Sequence, residues 1–387
     1  MTTISEGEST VAQHVEVAGA ARAGSGIVRR GAAGAARAGR GAAAPVVPPV
    51  GPPWFGAVMG TGILSSLLQR AELGALSAIG APVLLGLGWL LLLGLALGYL
   101  VRLRAGRTSL RQSVAAVADA TAWGLVAMGV LSIGGATLAT LPSLGAPTGL
   151  AVTLAAALWV AGTLLGLVTT LAFARRVPRE PGAPTFTWGL PVVPPMVSAT
   201  TGAALAAALT TSGVALAVLV VSAACFVLSL VVGGWIFAAA YRHHRRVPLP
   251  LAASVSAWIP LGIVGQSTAA AQGIAPETGR WSSPDVAELL RGLAVGYGAV
   301  VLLVGMPLVL WAVRRTVSGL AQGMPFSPGW WALTFPLGTL ALGAGALGAG
   351  AGSAALVALG VALTLALVGT GTFCALATVR VLVAARR

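Results

Sequence analysis

Few side chains in this 387-residue chain can trade a proton or bind a metal, and those few are placed where they do neither. The nine carboxylates are Glu6, Glu8, Glu16, Glu72, Asp119, Glu180, Glu277, Asp285 and Glu288, and none lies deep in an apolar stretch. Asp119 and Glu288 stand at the starts of such stretches, where a carboxylate caps or complements a helix N-terminus. His14 is in the N-terminal tail, and His243 and His244 sit among Arg242, Arg245 and Arg246, which reads as a solvated basic connector. Lysine is absent, which removes the phosphate loop GxxxxGK(S/T) and any Schiff-base amine. Cys225 and Cys374 fall inside apolar segments, where free cysteine behaves as a small buried residue. No acid–base, nucleophilic or metal constellation emerges, so neither an enzyme nor a cofactor is expected.

What remains is a set of uncharged groups inside apolar segments. Gly60 and Thr61 belong to the first segment, Gly129 and Ser132 to the third, and Pro195, Ser198, Thr201 and Gly202 to the fifth. Pro260, Gly265, Gln266 and Ser267 belong to the seventh, and Thr334, Pro336 and Gly338 to the ninth. Hydroxyls and backbone N–H groups freed at helix breaks can replace the hydration of an anion, and nothing negative is there to attract a cation. At any single position, close helix packing is the simpler account of Gly, Ser or Thr. Five repeats carrying the pattern together favour a lined path for a small anion.

The elements that must position these groups follow from composition. Hydrophobic residues make up 57% of the chain and charged residues 8%, with a mean hydropathy of +0.92, far from the roughly 25% charged expected of a soluble domain. A bilayer core needs about 20 apolar residues per helix. Ten such spans are predicted, near 53–70, 78–101, 120–139, 150–174, 190–210, 213–241, 251–271, 289–313, 326–348 and 354–379. They alternate in kind. The odd spans begin near Trp54, Trp123, Trp188, Trp258 and Trp331 and carry Gly and Pro, among them Gly262; the even spans are mostly Leu, Ala and Val. Backbone groups freed by mid-helix proline cannot face lipid, so the odd helices are expected inside and the even ones outside.

All 23 basic residues are arginine, and 20 of them fall in the two tails and the even-numbered connectors. Arginine-rich loops stay in the cytoplasm, so both termini are expected inside, and the net charge of +14 is a topology signal rather than a nucleic-acid surface. Residues 1–48, rich in Ala, Gly, Arg and Ser, read as a disordered cytoplasmic tail without a signal peptide. Residues 49–387 read as one ten-helix domain, its first helix acting as the uncleaved membrane signal.

Four stretches carry a resemblance: WFGAVMGTGILS at 54–65, LPVVPPMVSATTG at 190–202, WIPLGIVGQS at 258–267 and PFSPGWWALTFPLG at 325–338. Together they resemble the tellurite-resistance/dicarboxylate transporter family, whose members include bacterial tellurite-resistance channels, plant slow anion channels, malate permeases and sulfite efflux pumps. The third span is a looser match, and GQS is more similar to the sulfite and dicarboxylate branches. The resemblance implies an all-α polytopic membrane protein of five helical hairpins around a central pore, commonly a homotrimer, with a phenylalanine plug on the ninth helix. Phe335 is the residue in that position. It also lies about 15 Å beyond Pro325 if the stretch is helical, and Pro336 beside it is expected to open the helix. The expected function is passage of sulfite, tellurite-type oxyanions, chloride or C4-dicarboxylates through the cytoplasmic membrane by a channel or uniport mechanism. A proton-coupled carrier is the alternative within transport, and a scaffold or sensor the alternative outside it.

Overall fold

The computed structural model describes residues 48–179 and 182–385; apart from its last residue, the expected 1–48 tail lies outside them. Ten long helices form five antiparallel pairs: α1 (Phe55–Ala71) with α2 (Ala75–Arg104), α3 (Trp123–Thr140) with α4 (Thr148–Arg176), α5 (Pro194–Ala208) with α6 (Ser212–His244), α7 (Leu261–Glu277) with α8 (Pro284–Ala321), and α9 (Thr334–Gly350) with α10 (Ala354–Ala384). The turns within pairs are short, and short turns make consecutive helices antiparallel neighbours. No strand occurs among the described residues.

Each odd helix packs on the next: α1 on α3, α3 on α5, α5 on α7, α7 on α9, and α9 back on α1. These contacts close a five-membered ring. Each even helix packs on its own partner and on the odd helix of the following pair, with α10 returning to α1. In the spans containing α5 and α9, 72% of the most apolar 18-residue window is buried, against 17% in α2, α8 and α10. The outer helices instead present side chains such as Leu90 and Leu303, 72% and 75% exposed. A surface of that kind is stable only against lipid or another protein.

Eight segments are long and apolar enough to cross a bilayer. The other two helices, α1 and α7, have 17 residues each, or about 26 Å, and 3-10 turns over Pro52–Trp54 and Leu251–Trp258 lengthen them.

The prolines correct one expectation. Pro194 and Pro195 open α5, Pro260 caps the N-terminus of α7, and Pro336 is the third residue of α9. In a first turn the missing N–H has no intrahelical acceptor anyway, so these prolines break nothing. The interruption is instead a junction between a 3-10 entry turn and an α-helix, as at Pro328–Leu333 before α9. Prolines within helices are Pro82 of α2, Pro307 of α8 and Pro276 near the end of α7, so the outer helices are less regular than their composition suggests.

The repeated tryptophans anchor the entry turns. Trp258 donates its indole N–H to Thr316 Oγ1 of α8 at 2.9 Å, and Trp331 donates to Thr378 Oγ1 of α10 at 3.2 Å. Trp54 donates to the Pro48 carbonyl at 3.0 Å and Trp123 to Ser113 Oγ at 3.1 Å.

Candidate functional site: the axis of the inner ring

A cavity of about 430 Å³ forms a mouth at the end of the ring away from the arginine-rich helix ends, between the C-terminal halves of α5, α7 and α9 and the outer helix α8. Leu342, Ala346 and Ala349 of α9 line it with Thr200, Ala204 and Ala207 of α5, Ala269 and Gln272 of α7, Ala294 of α8 and Arg70 of α1. Phe335 precedes Leu342 by seven residues and Ala346 by eleven, so at about 100° per residue all three share one stripe. Its ring is 2% exposed and lies about 10 Å further in than Leu342. The 3-10 entry adds about 12 Å before α9 begins, which leaves Phe335 somewhat toward the arginine-rich side of the middle.

Gly262 stands at the same level. A Cβ built on Gly265 would lie 2.2 Å from the Thr339 carbonyl carbon, a register that sets Gly262, the second residue of α7, level with Pro336, the third of α9. Gly262 is buried, yet a Cβ placed there meets nothing within 4 Å. The buried open space at Gly262 is a feature that sequence reasoning missed.

The remaining candidates divide. Gln266, one turn beyond Gly262, is 2% exposed and its Oε1 has no hydrogen-bond partner. Turning the amide over makes the unpartnered group an N–H₂ donor. The Gln266 carbonyl accepts from Thr200 Oγ1 at 3.2 Å, tying α5 to α7. Ser132 Oγ is likewise buried without a partner. Thr201 is wedged between helices, its Cγ2 lying 3.2 Å from a Cβ built on Gly135 of α3, and its Oγ1 donates to the Val197 carbonyl. Pro195 and Pro260 are buried in the entries of α5 and α7.

Others pack against neighbouring helices. Gly60 and Thr61 floor an apolar groove of about 840 Å³ between α2 and α10, outside the ring. A Cβ on Gly60 would also meet Thr334 Oγ1 at 2.3 Å, and that hydroxyl donates to the Trp331 carbonyl. Gly129 packs on Val58 and Phe55 of α1, and Gly338 on Ile63 of α1 and Leu367 of α10. Gly202 faces Trp159 and Ser222 of the outer helices. The Ser198 carbonyl accepts from Trp159 Nε1 at 2.9 Å, and Ser267 Oγ donates to the Val264 carbonyl of its own helix at 3.4 Å. Small and hydroxyl residues serve close helix approach at these positions.

The basic connector also differs in part. The His244 ring packs on Phe186 at 5.1 Å, beside Tyr241 at 4.9 Å from the same ring, and its Nε2 is buried. Among the described residues no group of three or more His, Cys, Asp or Glu is placed to hold a metal ion.

No curated protein matches the chain. Residues 49–379 match the family model described as SLAC1, voltage-dependent anion channel. That match takes in four complete hairpins, α9 and most of α10, and this chain belongs to the SLAC1 family of voltage-dependent anion channels.

Proposed function

We propose that the inner ring conducts small anions through the cytoplasmic membrane by uncoupled electrodiffusion, with the Phe335 side chain as the plug. The observation that carries this reading is the stripe on α9, where Phe335 continues the lining of the mouth into the closed part of the ring. Near the level of Phe335, Gly262 leaves buried space that its own helix does not fill. Coupling to protons calls for a relay of Asp, Glu or His within the membrane. The helices α1, α3, α5 and α9 have none, and α7 has only Glu277 at its end.

The substrates are sulfite, tellurite-type oxyanions, chloride or C4-dicarboxylates, and the arginine distribution puts both termini in the cytoplasm. With the interior negative, the potential drives export by about 2.3 kcal/mol per charge per 100 mV, and about 4.6 kcal/mol for a divalent anion. By family resemblance three copies assemble, each with its own path. The experiment is a liposome flux panel with sulfite, malate, nitrate and chloride at imposed potentials. Potential-driven flux indifferent to a pH gradient is expected. Accumulation driven by a pH gradient at zero potential would replace channel with carrier, and absence of flux for every anion would favour a scaffold.

A further inference from the structure

At the mouth of the ring the backbone opposes an anion. All five inner helices end there, and each C-terminus carries about half a negative charge. Two arginines near the mouth are already engaged. Arg280 donates to the Ala206 and Leu209 carbonyls of the α5 end at 2.9 and 3.2 Å and lies 3.5 Å from Glu277. Arg291 donates twice to Glu288, at 2.8 and 3.1 Å.

Arg70 is different. It sits in the last turn of α1, is exposed, and has no ion-pair or hydrogen-bond partner among the described residues. It lines both the 430 Å³ mouth and a second cavity of about 320 Å³ between α1, α9 and α10. Other donors of the mouth are committed: Gln272 Nε2 donates to the Ala294 carbonyl at 2.7 Å, and Thr200 Oγ1 donates to the Met196 or Gln266 carbonyl.

We infer that Arg70 is an anion-capture site at the outer mouth that takes carboxylates and small oxyanions in preference to halides. This rests on the conduction reading above and names its substrate class. A guanidinium presents parallel N–H donors that match two oxygens of a carboxylate, sulfite or nitrate, whereas a halide meets it only as a charge. Open to water and screened by salt, the site concentrates and orients its ligand without trapping it, as conduction requires. An Arg70 that merely complements the α1 C-terminus would contribute to stability without distinguishing one anion from another.

The test uses full-length wild type, Arg70→Lys and Arg70→Gln, right side out in liposomes, with sulfite, malate or chloride added at the mouth. A second measurement follows the melting temperature of the same proteins in detergent as each anion is titrated. Arg70→Gln is expected to raise the half-saturating sulfite and malate concentrations about tenfold and to abolish their thermal stabilisation. Arg70→Lys keeps the chloride response and loses the oxyanion preference, and high salt shrinks every difference. Equal anion responses in wild type and Arg70→Gln would overturn the site; equal wild-type responses to chloride and oxyanions would overturn the class. If wild type passes no anion, the conduction reading falls, while the melting titration still decides whether Arg70 binds.

Discussion

Gly265 of α7 and Thr339 of α9 meet backbone to backbone: a methyl group on Gly265 would lie 2.2 Å from the Thr339 carbonyl carbon and 2.3 Å from its oxygen. Gly343 approaches Gly265 in the same way, with a Cβ position 2.5 Å from the Gly265 carbonyl oxygen. Gly265→Ala is therefore expected to cost about 1–3 kcal/mol, seen as a lower melting temperature in detergent. Gly262→Ala, on the same helix but facing open space, has the opposite sign and stabilises by about 0.5–1 kcal/mol.

Filling the buried space at Gly262 tests the path. Gly262→Leu is expected to lower anion flux about tenfold, equivalent to about 1.4 kcal/mol on the barrier, with no loss of melting temperature. Undiminished flux in the folded variant would place the path elsewhere.

Emptying the plug has the reverse effect. Reconstituted currents are expected to rise about tenfold in Phe335→Ala. Truncating a buried phenylalanine also costs about 3–5 kcal/mol of stability, so Phe335→Leu, with an intermediate current and a smaller stability loss, separates gating from misfolding. Unchanged conductance and selectivity in both folded variants would end the gate assignment.

The indole anchors are separable. Thr378→Val removes the acceptor of Trp331 and Thr316→Val that of Trp258, each costing about 1 kcal/mol. The two sites lie in different hairpins, so their effects on denaturation midpoints are expected to add within about 0.5 kcal/mol.

Inner and outer helices were legible in the chain because lipid imposes a simple rule: Gly, Pro and hydroxyl residues collect where protein or water surrounds the backbone. The direction each inner helix faces was not. Thr61 and Gly60 turn toward the α2–α10 groove and Gly202 toward Trp159, because a helix buried on every side has no apolar stripe to orient it. The same small residues serve packing and lining alike. The prolines misled for a related reason. A missing N–H disrupts only where an acceptor precedes it in the helix, and that depends on where the helix starts.

Sequence by itself determined that this is a five-hairpin membrane protein with the helices rich in Gly, Pro and hydroxyl residues inside, because burial chemistry is written residue by residue. Only the tertiary structure decided that Gly262 and Arg70 join Phe335 as positions to test. The space beside Gly262 and the missing partner of Arg70 are properties of what neighbouring helices leave unfilled, which no single segment encodes.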